Sequence, residues 1–214
     1  MALAAAEAEV LAIELDRALV TALREVAEPL GVRVAVADAM KADWAAVLGR
    51  GRWTMVSNLP YNVAVPVVMR LLEEAPEVDP LVVMVQREVG ERLAAGPGEE
   101  TYGSVSARVA YRANARLVRR VPASVFWPRP RVESVIVRLD RRPPPVNVSA
   151  ERLFPVIEEG FAQRRKTMRN ALVRLGLSAL EAADALEACG VPPSARAEDL
   201  GLDAFACLAE RVSP

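Results

Sequence analysis

The sequence predicts an α/β domain followed by a small all-α domain, and three observations predict it. Strand-like and helix-like hydrophobic periods alternate from residue 9 to residue 140. A Pro-rich break, RRPPPVNVS at 141–149, interrupts that alternation. Beyond the break every apolar repeat has helical spacing, so the expected domains are 1–142 and 149–214.

The elements follow in order. EVLAIEL (9–15) is an apolar run ending in acid, readable as a buried strand. Residues 16–30 place Leu19, Leu23, Val26 and Leu30 at helical spacing, and Gly31 closes the helix. VRVAVAD (32–38) is a second strand, and WTMVSNLPYN (53–62) a third that runs into a turn. A helix is expected over 63–74, a strand over 80–86, a helix over 87–95 and a loop over 96–103. Residues 104–121 read as a helix and then a strand, and 132–140 alternates as a strand. Such alternation implies a mostly parallel sheet. In the helical tail Leu153, Ile157 and Phe161 share one face, and Met168, Leu172 and Leu175 another.

Composition narrows the chemistry. The 214 residues include no histidine, which excludes Ser-His-Asp and Cys-His catalysis and His-ligated metals. The two cysteines, Cys189 and Cys207, read as small helical core residues in a reducing compartment and argue against a disulfide scaffold. No apolar run reaches the roughly 18 residues of a membrane span, and the acidic N-terminus lacks a basic n-region. A cytoplasmic, metal-free monomer is expected.

The net charge of −1 conceals an asymmetry. Residues 108–169 carry 15 basic and 5 acidic side chains, whereas 1–107 carry 9 and 16. A basic stripe within a near-neutral protein points to a polyanion partner; a solvated Arg-rich surface is the plainer alternative.

Three features fall at the C-terminal ends of predicted strands, where open α/β sheets bind ligands. Glu14 ends the first and is suited to the two hydroxyls of a ribose. Asp38 ends the second and is suited to an adenine amino group. Each alone is a weak signal. The third, Asn58-Leu59-Pro60-Tyr61-Asn62, is far more specific. The lone pair of adenine N6 is delocalised into the ring, so the amine is a poor nucleophile. Accepting both N6 hydrogens favours a pyramidal nitrogen with a localised lone pair. Asn58 supplies one acceptor and the carbonyl of Leu59 or Pro60 the other, while Tyr61 stacks on a flipped base. An ordinary Asn-Pro turn is the bland reading.

Asn58-Leu59-Pro60-Tyr61-Asn62 resembles the target-base motif of the ribosomal RNA adenine dimethyltransferase family. The resemblance extends along nearly the whole chain. Ile13-Glu14-Leu15-Asp16 matches the family's ribose-binding strand end, and Ala37-Asp38-Ala39 its adenine-binding loop. Met84-Val85-Gln86-Arg87-Glu88-Val89, Glu91-Arg92-Leu93 and Tyr102-Gly103 are similar to the segments after the catalytic turn. Phe126-Trp127-Pro128-Arg129-Pro130-Arg131-Val132-Glu133-Ser134 is similar to its Phe-x-Pro-x-Pro-x-Val-x-Ser segment. Phe161 to Thr167, with Arg169-Asn170, resembles the opening of its helical domain.

The resemblance implies a Rossmann-like S-adenosylmethionine-dependent methyltransferase domain and dimethylation of two adjacent adenosines in a hairpin near the 3′ end of 16S rRNA. The immature small ribosomal subunit is the implied partner. Glu14, Asp38, Ala39 and Asn58 would hold the cofactor. Asn58, Leu59 and Pro60 would orient the amine, and Tyr61 and Phe126 would sandwich the base. Arg129, Arg131, Arg164, Arg165, Lys166 and Arg169 are candidate phosphate contacts. Phe126 without the resemblance reads as a core aromatic. The macrolide-resistance branch acting on large-subunit rRNA is the near alternative, and a non-catalytic assembly factor docking through the basic stripe is the rival from another class. A DNA adenine methyltransferase expects Pro where Leu59 stands.

Folds of this kind open with a strand and a Gly-rich turn about 20 residues before the acidic ribose ligand. Here Glu14 lies 13 residues after Met1 and the first glycine is Gly31. The expectation is a chain begun late within a longer protein, or a short form that binds cofactor poorly. In this fold the missing strand is central, so its neighbours are expected to lack a backbone partner.

Overall fold

The computed structural model describes residues 2–5, 8–60, 62–163 and 165–212. It divides into two compact units, Met1–Trp53 with Pro66–Glu77, and Thr54–Val65 with Val78–Pro214.

The first unit opens with a short helix α1 (Ala2–Ala5), then β1 (Leu11–Glu14), α2 (Arg17–Ala27), β2 (Arg33–Val36) and α3 (Trp44–Leu48). The alternating apolar residues make β1 and β2 a parallel pair, with Glu14 opposite Val36. Asp16 starts α2 by accepting from the Ala18 N–H at 2.8 Å. A 3₁₀ turn over Glu28–Leu30 follows, and Gly31 ends it at φ 80°, a left-handed conformation open to glycine. The apolar stripe of α2 is mostly uncovered. Leu19 and Val26 are 56% and 57% exposed, and the buried positions are Val20 and Ala27.

The second unit holds a four-stranded sheet in the order β3-β4-β6-β5. Its strands are β3 (Trp53–Asn58), β4 (Val78–Gln86), β5 (Ala113–Val121) and β6 (Ser134–Arg141). β6 pairs antiparallel with both β4 and β5. β4 and β5 therefore run the same way, and the departure from the mostly parallel reading is β6, which runs against both of its neighbours. The physical reason is a connection: α6 (Ser104–Arg112) passes directly into β5, and one loop returns the chain to β6, leaving no crossover between them. Among the described residues β1 pairs with β2, and β3 and β5 are the edge strands of the four-stranded sheet.

α4 (Ala64–Glu74) follows β3, and α5 (Arg87–Ala94) follows β4. Gly90 lets α5 approach the sheet closely. A Cβ there would overlap Val135 Cγ2 and lie 3.0 Å from Val137 Cγ2.

The tail folds as α7 (Ala150–Ala162), α8 (Met168–Arg174), α9 (Ala179–Ala188) and α10 (Leu202–Ala209). Leu153, Ile157, Met168, Leu172, Leu186 and Phe205 are buried in one core that also takes in Tyr102 and Tyr111. The Tyr102 hydroxyl donates to the Leu200 carbonyl at 3.0 Å, and the Tyr111 hydroxyl to Val148 at 2.8 Å. Ser178 and Glu181 form a capping box at the start of α9. The reading of the cysteines as isolated core residues is overturned. Cys189 and Cys207 are half-buried and joined in a disulfide between the end of α9 and α10, with Cα atoms 5.8 Å apart. The fold of the tail brings the end of α9 beside α10, a proximity that a sequence separation of 18 does not reveal.

Candidate functional site

β3 delivers Asn58 and Pro60 to an exposed turn, while Leu59 between them is buried and anchors it. The Leu59 N–H donates to the Met84 carbonyl at 3.2 Å, which fixes the turn beside β4. The Pro60 carbonyl accepts from the Val63 N–H at 3.1 Å and leads the chain into α4. Tyr61, expected to stack on a base, lies outside the described residues.

The loop at 122–133 emerges at the same end of this sheet. The pairing shows why: Met84 faces Ile136, Gln86 faces Ser134, and Ser134 also faces Val121. The loop base is pinned to β4 where the Arg87 N–H donates to the Glu133 carbonyl at 3.0 Å and the two side chains pair at 3.2 Å. Phe126 follows a 3₁₀ turn over Ala123–Val125 and is half-buried on extended backbone. Asn58, Leu59, Pro60 and Phe126 thus converge on one end of one sheet. Arg129 and Arg131 are exposed on the same loop.

In the first unit Glu14 and Asp38 stand at the C-terminal ends of adjacent parallel strands. The Ala37 N–H donates to the Glu14 carbonyl at 3.1 Å. Glu14 Oε1 accepts from the N–H groups of Leu15 and Asp16 at 2.7 and 2.9 Å, which fixes the carboxylate. Asp38 Oδ1 accepts from the Met40 N–H at 2.8 Å, and its carbonyl closes the turn onto Lys41 and Ala42. Arg70 holds the far side of this turn by donating to the Ala42 carbonyl at 2.8 Å and to that of Ala39 at 3.4 Å. Two half-buried carboxylates on neighbouring strand ends offer acceptors to the hydroxyl and amino groups of a nucleoside.

Of the basic tail residues, Arg165 and Lys166 are exposed, and Arg164 lies outside the described residues. Arg169 is exposed as well, and it also donates to the Ala179 carbonyl at 2.9 Å, which ties α8 to the start of α9. Sequence reasoning passed over Arg119 and Arg120 on β5 and Trp127 on the loop, all exposed. One signal was available. From Thr101 to Val132 the sequence contains no Asp or Glu and seven Arg.

The profile of the family described as "Ribosomal RNA adenine dimethylase" matches residues 2–212. The chain is 50% identical over 157 residues to "Ribosomal RNA small subunit methyltransferase A" of Thermobifida fusca, covering 73% of this chain and 55% of that protein. It is 42% identical over 215 aligned positions to the protein of that name from Kineococcus radiotolerans, covering 98% of this chain and 71% of the other. Against the first of these relatives, then, the chain spans little more than half their length. Among solved structures, a dimethyladenosine transferase from Plasmodium falciparum superposes with a TM-score of 0.78 at 22% identity, over 94% of this chain and 80% of that one, and so shares the fold. With a profile match over nearly its whole length and a 42% identical relative that it covers to more than two thirds, this chain belongs to the ribosomal RNA adenine dimethylase family.

Proposed function

We propose that this chain is the catalytic and RNA-facing part of an adenine-N6 dimethyltransferase acting on 16S rRNA in the immature small subunit, at two adjacent adenosines of a hairpin near the 3′ end. The observation that carries the reading is the convergence of Asn58-Leu59-Pro60 and Phe126 on one end of the second unit's sheet. Family membership and the small-subunit relatives favour this target over a large-subunit one.

The residues divide the work as follows. The Asn58 amide oxygen accepts one N6 hydrogen of the target adenine. The Pro60 carbonyl already accepts the Val63 N–H, so we assign the second acceptor to the Leu59 carbonyl. Accepting both hydrogens localises the nitrogen lone pair for attack. Phe126 stacks on the base from the loop, with Tyr61 as its partner across the ring. Glu14 binds the ribose, and Asp38 with Ala39 the adenine, of S-adenosylmethionine. The two strand-end carboxylates fit that nucleoside. When bound, the cofactor supplies an electrophilic methyl carbon. The S–CH3 bond would break as the N–C bond forms, releasing the spent cofactor as a neutral thioether; N6 would shed one proton to solvent, and a second round with fresh cofactor would add the second methyl. Arg129, Arg131, Arg165 and Lys166 contact phosphates, which positions the hairpin without reading its bases.

The test is transfer of labelled methyl groups to immature small subunits by the wild type and by Asn58→Ala. Asn58 is exposed, so the variant should melt as the wild type does. Loss of one transition-state acceptor should lower turnover by about 10²- to 10³-fold. Equal turnover in the two proteins would overturn the assignment. RNA binding with no cofactor binding at all would leave a non-catalytic docking factor.

A further inference from the structure

We infer that Trp127 is a second base-stacking platform, holding an unpaired nucleotide that flanks the target adenosine on the RNA. The inference rests on the proposed function only for the identity of the neighbouring base; the surface itself stands on separate observations.

Trp127 is 97% exposed, which is extreme for a side chain with so much apolar area. Phe126, its neighbour in the chain, is half-buried, so the exposed aromatic face of this loop is that of Trp127. Pro128 and Pro130 restrict the backbone after it, so little loop entropy is lost when a ring stacks on the indole.

The surroundings select the occupant. Arg119, Arg120, Arg129 and Arg131 are exposed and make no ion pair among the described residues. The nearest acidic residue along the chain, Glu133, is already paired with Arg87. A bare indole among unneutralised guanidinium groups repels a basic partner and is a poor seat for an apolar one. It suits a strand of bases carrying a phosphate at every step, since aromatic faces stack on any base while arginines track the backbone. The loop also emerges at the sheet end that carries Asn58, which places Trp127 one residue from the ring assigned to the target.

The experiment uses the full chain without cofactor and a single-stranded oligoadenylate as probe. Trp44 is buried and Trp53 half-buried, so acrylamide-accessible emission reports Trp127. Binding should quench that emission and protect it from acrylamide. Trp127→Ala should weaken binding about tenfold at fixed salt with the salt slope unchanged, and Trp127→Phe should restore most of the loss. Arg129→Ala should instead lower the salt slope by about one. Wild-type affinity in Trp127→Ala would overturn the inference, as would self-association without RNA that depends on Trp127. Failure of methyl transfer with Trp127-dependent RNA binding intact would defeat only the proposed function. Intact methyl transfer with binding indifferent to Trp127 would defeat only this inference.

Discussion

Replacing Tyr102 with Phe removes one oxygen atom from the join between α6 and the C-terminal helices. The phenol is 4% exposed, and its hydroxyl donates to the Leu200 carbonyl at 3.0 Å. Its ring meets Phe161 edge-on with centroids 5.5 Å apart, and Phe keeps that contact. The loss is therefore the hydrogen bond plus the cost of a buried carbonyl left unsatisfied, about 2 kcal/mol together. For a chain of this size that lowers the melting temperature by about 4–8 °C. A second signature follows from titration. Burial raises the Tyr102 pKa from 10.0 to about 12. The folded state thus holds the proton more tightly than the unfolded one. The stability this represents is fully present below pH 10 and is lost as the pH rises from about 10 to about 12. Thermal melts of wild type and Tyr102→Phe at pH 8 and at several values between 10 and 12 measure both effects. The gap between the two proteins should be widest at pH 8 and should narrow as the phenol ionises. A gap that stays constant through pH 12, or no gap at pH 8, would refute the assignment of this hydroxyl as a buried tie.

Two further perturbations test the packing. Opening the Cys189–Cys207 disulfide, by reduction or by Cys189→Ser, removes a crosslink that closes 18 residues and should cost about 3 kcal/mol by the chain-entropy account; thiol titration paired with melts in the presence and absence of reductant reads it, and an unchanged melt on full reduction would contradict it. Gly90→Ala drives a methyl group into Val135 and Val137, so it should destabilise by about 1–3 kcal/mol, measured by urea unfolding, and an unaffected midpoint would mean that α5 does not lie so close to the sheet.

How much of this was legible beforehand differed from element to element for physical reasons. The β1-α2-β2 unit was readable because local signals agree there: an apolar run, Asp16 as helix start and Gly31 as stop. The short helix α3 went unseen, although Asp43 caps it by accepting from Ala46 at 3.1 Å. Five residues give too little periodicity to register. The reversal of β6 was not readable because period-two patterns carry no direction, and only the chain's return from β5 sets it. The turn at Asn58 was legible since its groups are contiguous in sequence. The tie from Arg169 to the Ala179 carbonyl was not, because it joins residues ten apart in the chain. Trp127 shows the same limit from the other side. An aromatic residue in sequence reads equally well as core or as surface, and only the fold reveals that this one is bare.

The absence of histidine from these 214 residues makes a last claim about mechanism testable. A site that works by general acid–base catalysis near neutrality would need a group titrating there, and histidine is the ordinary choice. The proposed site instead accepts hydrogens through an amide oxygen and a backbone carbonyl, neither of which titrates. In the same proposal Phe126 and Tyr61 contribute only their ring faces. N6 becomes acidic only as its new bond to carbon forms, so its proton can pass to water without a base waiting for it. Turnover measured at saturating RNA and cofactor should therefore vary by less than about twofold between pH 6 and pH 8. A limb of unit slope within that range would mean that a titrating group takes the proton, and the division of labour between Asn58 and the Leu59 carbonyl would have to be rebuilt around it.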